Sequence, residues 1–194
     1  MLQGLLVDLV PYSQKFLDQD HKWRNGPGVF FWAMGDQWVV TKANIEAAHR
    51  RHAEQRERGG RRIMFGMQTK DGIPIGLFGI NHLNEYHRIG MLTAMIGEPD
   101  YWGGGYGTDG LLLIVDYAFD WLDLRKVWLA TAGFNIRVQR QMEKVGFTLE
   151  ARQSAQGYGD GEWTDGLVYG LLRDEWPGRA AMIEKLGLHQ RIMA

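Results

Sequence analysis

The chain of 194 residues contains no cysteine. That excludes disulfides, thiolate zinc centres and a cysteine nucleophile. It has no excess of one charge. The 22 Lys and Arg against 23 Asp and Glu leave a formal net charge of −1, so nothing points to nucleic acid or a membrane surface as a general partner. The longest purely aliphatic stretch, residues 111–115, is far short of the ~20 residues that span a bilayer. The opening MLQGLLVDLVP lacks a basic segment and carries Asp8, so it does not read as a signal peptide. A cytoplasmic protein is the expectation. No His pair stands at metal-ligand spacing with an acidic partner, so no metal is assigned. There is no repeat, linker or low-complexity segment, and the length fits one domain of about 100–200 residues.

An apolar fraction of 45% and a charged fraction of 23% are ordinary for a chain with a packed core. Eight tryptophans are many. They suit core positions, a ligand cleft or a dimer face, and a homodimer is expected. The most informative stretch begins at Met91. Residues 91–96 are apolar and read as a strand. Gly103, Gly104, Gly105 and Gly107 follow, and residues 108–122 then read as an amphipathic helix, with Leu111, Ile114, Val115, Ala118 and Leu122 forming one apolar stripe. Asp109 sits in its first turn, where a negative charge suits the helix dipole. Strand, glycine loop and helix N-terminus together form a device for binding phosphate. The glycines allow close backbone approach, and free N–H groups at the positive helix end face the anion.

Gly105-Tyr-Gly107-Thr-Asp-Gly110 fits the GxGxxG dinucleotide pattern. That reading also needs an acidic residue about 20 positions on for the ribose. The next strand, residues 126–132, ends in Thr-Ala-Gly-Phe-Asn with no acid. A P-loop fails as well, since no Gly-Lys-Ser/Thr follows the glycines. A glycine turn without a ligand remains as the bland alternative, against the chain entropy that four closely spaced glycines cost.

Taken in order, residues 5–10 read as a strand stopped by Pro11. Ser13 can cap a helix over 14–24, ended by Asn25-Gly-Pro-Gly28. Residues 29–38 carry Phe30, Phe31, Trp32 and Trp38 and read as core or as pocket lining. Thr41 can cap a helix over 42–58, whose mixed-charge end reads as a solvated face. Residues 62–68 and 75–83 read as strands around the turn 70–74, giving three adjacent antiparallel strands with the one at Met91. The strand over 126–132 follows a crossover helix and is therefore expected to run parallel to the Met91 strand. Asn135 opens a helix to Val145, capped by Gly146. Residues 147–153 and 166–172 read as the last strands, with the Gly157–Gly161 loop between them. Residues 178–189 read as a terminal helix that looks exposed.

The stretch around the glycines resembles the Gcn5-related N-acetyltransferase (GNAT) superfamily. The family's Arg/Gln-x-x-Gly-x-Gly/Ala loop corresponds to Trp102-Gly-Gly-Gly105-Tyr-Gly107, with Trp102 in place of Arg/Gln. That replacement, with Pro99-Asp-Tyr-Trp before it, is similar to the RimJ/RimL-like branch, which acetylates ribosomal-protein N-termini. Asn135 and Glu143-Lys-Val-Gly-Phe147 match the family's Asn…Glu-Lys-x-Gly-Phe segment. The resemblance spans Leu2 to Trp176. It implies an α/β (α+β) fold with a mixed, mostly antiparallel central sheet, splayed at Met91–Gly97 and Lys126–Ala132, with helices on both faces. The domain would cover 1–176 and a helical extension 177–194.

The resemblance further implies acetyl-CoA as co-substrate, and acetyl transfer to a primary amine: a protein N-terminus, a polyamine, an amino acid or an aminoglycoside. The pantetheine arm would pair with the free edge of the Met91 strand, at Met95, Ile96 and Gly97. The pyrophosphate would meet Trp102, Gly103, Gly104, Gly105, Tyr106, Gly107 and Thr108, and Asn135 would bond the arm. Arg137, Arg140 and Lys144 share one helix face and are read either as partners of the adenosine phosphates or as a solvated basic face. The family's general-acid tyrosine is replaced by Met142, so the thiolate leaves unassisted, with a thiol pKa near 8.5, or a hydroxyl such as Tyr106 serves. The candidates for a base are Glu85, His87 and His82, just before the strand, each also readable as a loop residue. A non-catalytic acyl-CoA-binding module with the same fold is the alternative.

Overall fold

The computed structural model describes residues 1–26, 39–57, 62–159 and 161–188. The reading of 29–38 as core or pocket lining and the turn at Gly28 lie outside them. One sheet organises the chain: β1 (Leu2–Gln3), β2 (Val7–Pro11), β3 (Ile63–Thr69), β4 (Pro74–Asn84), β5 (Ile89–Ile96), β6 (Lys126–Ala132), β7 (Thr148–Gly159) and β8 (Glu162–Leu172), in the order β1-β2-β3-β4-β5-β6-β8-β7. Every neighbouring pair is antiparallel except β5 and β6. The single parallel junction follows from the crossover helix between those two strands.

Helices pack on both faces. On one side, α1 (Gln14–Asn25) lays Phe16 and Trp23 against Leu77 and Met95, and α2 (Lys42–Glu57) lies beside it. Thr41 caps α2 as expected, accepting from Asn44 N at 3.2 Å, whereas Ser13 precedes α1 without a side-chain cap bond. On the other side, α3 (Tyr106–Asp116) crosses the sheet, and the last helix, α5 (Arg179–Leu186), packs on α3. Between these two helices in sequence lies α4 (Ile136–Val145), capped by the Asn135 carboxamide and ended by Gly146 in the left-handed region.

Three expectations are corrected. The helix after the glycine loop starts at Tyr106, two residues early, and its α part stops at Asp116. A wide π turn, Tyr117–Trp121, completes it, with Leu122 N on Tyr117 O at 3.1 Å. It also shows no single apolar stripe, because every residue from Asp109 to Val115 is buried. The sheet covers one side of α3, and the two ends of the chain cover the other. The described part of the segment that looked exposed, residues 178–188, therefore docks on the core through Met182, Ile183 and Leu188, all buried in it. Finally, β7 and β8 run on through the expected loop. Gly157 pairs with Thr164 and Gly159 with Glu162, so glycine lies in the ladder, and the turn itself shrinks to the tip, with Gly161 at φ 83°. Irregular register between Gln153 and Gly157, with Ala155 at φ 50°, absorbs the mismatch.

Candidate functional site

Two parallel strands part at the centre of the sheet. β5 and β6 pair only over Ile89–Lys126, Gly90–Val127 and Met91–Trp128. Beyond Trp128, β6 stays with β8 as far as Ala132–Gly166, while β5 stays with β4 as far as Ile96–Gly76. From Leu92 onward the edge of β5 that faces β6 has backbone groups without a strand partner. In a closed sheet this would be costly; here the edge borders a cleft of about 640 Å³ whose lining includes Ala94, Met95 and Ile96.

The glycine loop closes one end of that cleft. Gly105, at φ 97°, is the N-cap of α3 and holds a backbone angle that a side chain would strain. Its carbonyl takes the first helical bond, from Asp109 N at 2.9 Å. The N–H groups of the first turn have no intrahelical acceptor, and Gly105, Gly107 and Thr108 line the cleft. Gln141 Nε2 donates to Thr108 Oγ1 at 3.4 Å and so ties α4 to the first turn of α3. Trp102 donates its indole N–H to Ile96 O at 2.9 Å, and Arg137 lies over its ring at 4.9 Å. With Arg140 and Lys144 also on the lining, this end of the cleft is basic. An extended ligand with amides for the open edge and an anionic end for the helix N-terminus and the cations fits these residues.

Nine of the twelve expected ligand residues line the cleft: Met95, Ile96, Trp102, Gly103, Gly105, Gly107, Thr108, Asn135 and Arg140. The other three, Gly97, Gly104 and Tyr106, are not on its lining. Gly97 is small because the Trp23 indole would lie 2.0 Å from any Cβ there. The Tyr106 ring packs edge-on against Tyr101 at 5.0 Å and lies over Gly104. The basic face of α4 also comes to the site, with all three of its cations on the lining. Phe78, Phe134, Leu186 and Leu188 line the cleft too. Only Phe134, directly before Asn135, carried a positional signal; the two leucines come from the C-terminal segment, whose docking no local pattern encodes.

Glu85 and His87 stand in the turn that opens β5, at the paired end of the fork, and His82 sits on the bulge before that turn at φ 47°. None of the three lines the cleft. Met142 is buried in the core. Three acidic residues stand near the last hairpin: Asp165 is held by Arg152 (3.1 Å) and Ala155 N (3.0 Å), Glu162 is exposed, and Asp160 lies outside the described residues. Among the described residues no cluster of three His, Asp or Glu is grouped for a metal, and no helix is long and apolar enough to cross a membrane.

Comparison with known proteins agrees with this geometry. YdaF of Bacillus subtilis (strain 168), provisionally named a ribosomal N-acetyltransferase, is 28% identical over 108 residues, 56% of this chain and 58% of that protein. Spermidine N(1)-acetyltransferase of Escherichia coli (strain K12) is 28% identical over 106 residues, 55% of this chain and 56% of that protein. The aligned part thus spans little more than half the length of these relatives. The solved spermidine N-acetyltransferase from Vibrio cholerae, in complex with CoA and spermine, superimposes with a TM-score of 0.79 at 20% identity, covering 87% of this chain and 96% of that one. This likeness establishes the fold. The family model described as "Acetyltransferase (GNAT) domain" matches residues 7–148, and the chain belongs to that family.

Proposed function

We propose that the protein transfers an acetyl group from acetyl-CoA to a primary amine. The observation that carries this reading is the fork between β5 and β6, closed by a glycine loop at a helix N-terminus. The open edge of β5 suits the amides of a pantetheine arm, the first turn of α3 suits a pyrophosphate, and Arg137, Arg140 and Lys144 suit the remaining phosphate. Acetyl-CoA supplies the activated acyl group. This chain's residues bind it, orient it along β5 and offer backbone donors beside its carbonyl. The amine must be neutral to attack, and its proton leaves through a base or water. Glu85, His87 and Tyr106 remain the candidates for proton handling, and their placement off the cleft favours a route through water.

The proposed acceptor is a protein N-terminus, as in the RimJ/RimL-like branch, a polyamine, an amino acid or an aminoglycoside, and relatives named as a ribosomal N-acetyltransferase and a spermidine N(1)-acetyltransferase support the first two. A cytoplasmic homodimer is part of the proposal, on the eight tryptophans, two of which, Trp121 and Trp163, are exposed. Calorimetric titration with acetyl-CoA, followed by thiol release against a panel of amines, tests the reading. Binding with thiol release on one class supports it, and no binding refutes it. The burial of Met142 where the family carries a tyrosine favours a second reading, an acyl-CoA-binding module without turnover. Binding without release on any amine would select that one.

A further inference from the structure

On the sheet face covered by α1, three buried polar atoms have no hydrogen-bond partner among the described residues: Tyr12 Oη, Arg62 Nε and Asn81 Oδ1. The register brings them together. Ile63 pairs with Ile80, so Arg62 precedes that pair opposite Asn81, which itself pairs with Met91. Met91 is the last residue of β5 bonded to β6. Tyr12 follows Pro11, whose partner is Phe65, and thus comes beside Met64, with which it packs around Phe16. Asn81 is one strand from the fork and Arg62 two, which is within about 10 Å at the usual strand spacing.

The charges around these atoms set what they accept. Asp20, fully buried, is already paired with Arg24 at 2.8 Å and His49 at 3.4 Å. The His49 ring stacks on Tyr12 at 4.7 Å. Burial pushes the Tyr12 phenol up, which keeps it a proton donor. The three atoms are therefore a cationic donor, a neutral donor and an amide acceptor. Leaving each without a partner costs about 1–3 kcal/mol, a pattern more typical of a binding site than of a core.

Resting on the acetyltransferase reading, we propose that these three side chains form the acceptor subsite and that the acceptor is an α-amino acid, its carboxylate held by Arg62 and Tyr12 and its amine directed by Asn81 toward the fork. A polyamine has no group for the two donors and brings further positive charge to Arg62. In the reaction the amine nitrogen forms the amide bond, the thioester C–S bond breaks, and the amine proton is balanced by the departing thiolate.

The test uses the full chain with acetyl-CoA bound, its affinity first measured by calorimetry. Thiol release is then compared for leucine and isoamylamine, phenylalanine and phenethylamine, lysine and cadaverine, and spermidine. At least one amino acid is expected to exceed its decarboxylated partner about tenfold or more in kcat/KM, the usual weight of a charge-assisted hydrogen bond. Arg62→Met should raise KM for that amino acid by a similar factor, without changing acetyl-CoA affinity or the rate with the decarboxylated amine. Tyr12→Phe gives the same comparison if Arg62→Met does not fold. Acetyl-CoA binding with preference for spermidine or the decarboxylated amines, or with no amino acid acetylated, overturns the proposal and leaves the parent reading standing. Failure to bind acetyl-CoA overturns both.

Discussion

The guanidinium of Arg137 stands 4.9 Å from the ring centroid of Trp102, whose indole N–H reaches back 2.9 Å to the carbonyl of Ile96. One tryptophan thus joins the last residue of β5 to the basic face of α4, at the position where the family carries Arg or Gln. The hydrogen bond is worth about 0.5–1.5 kcal/mol and the cation–π contact about 0.5–1 kcal/mol at an exposed site. Trp102→Ala removes both and one wall of the cleft. Calorimetry is expected to show acetyl-CoA affinity about tenfold weaker. Trp102→Phe, which keeps a ring for Arg137, should lose only part of that.

Gly105 supplies a second test of the cleft. At φ 97° it tolerates side chains poorly, and a Cβ there would lie 3.2 Å from Leu6. Gly105→Asp adds left-handed strain of about 1–2 kcal/mol and sets a carboxylate at the helix end meant for an anion. Acetyl-CoA binding should be abolished. Gly72→Asp is the control: its φ of 80° imposes similar strain, with nothing within 4 Å of the new Cβ. Retained binding in that variant, together with loss in Gly105→Asp, separates the site from general destabilisation.

Much of this site was readable locally because it is built from short-range signals. Glycines force one backbone path, Asn135 caps the helix it precedes, and β6 matches its apolar run from Lys126 to Ala132. What the chain brings from far away was not readable. Leu186 and Leu188 reach the cleft through packing of the two chain ends around α3, and no periodicity announces that. The same packing explains Asp109. Its place in the first turn suggested a dipole partner, whereas its carboxylate is taken by groups about 70 and 100 residues away. Glu85 and His87 stand at the paired end of β5, and a strand of eight residues carries its two ends about 25 Å apart, a distance that nearness in sequence does not reveal.

Glu98 gives a prediction in pH. Partial burial alone would raise its pKa, but hydrogen bonds from Lys22 and Trp23 and the Lys22 charge outweigh that and hold it below its ordinary value of 4.5. Lys22 Nζ lies 2.6 Å and Trp23 Nε1 2.9 Å from its Oε1. A carboxyl depressed by folding contributes stability above its unfolded pKa and loses it as the pH falls through the folded one. Stability should therefore decline as the pH drops below about 4.5. Glu98→Gln should lower stability at pH 7 and flatten that acid limb. Urea unfolding from pH 7 to pH 3 measures both, and parallel curves for the two proteins would remove Glu98 as a cause.

Asp109 is the strongest single prediction for stability. It is fully buried. One oxygen accepts from Leu6 N at 2.7 Å and Val7 N at 3.1 Å, and the other meets Arg179 at 3.3 Å. It thus ties the start of β2 and the start of α5 to the helix that carries the glycine loop. Asp109→Ala leaves two backbone donors and a largely buried guanidinium without their anion, and breaking a buried pair from one side costs about 3–5 kcal/mol. Asp109→Asn keeps one oxygen for both backbone donors, loses the anion facing Arg179 and should cost less than Ala. Urea unfolding gives the order wild type, Asn, Ala. Since α5 and the glycine loop share Asp109, acetyl-CoA affinity should fall in the same order even at temperatures where each variant is folded. Affinity unchanged in folded Asp109→Ala would show that the loop holds its shape without the tie.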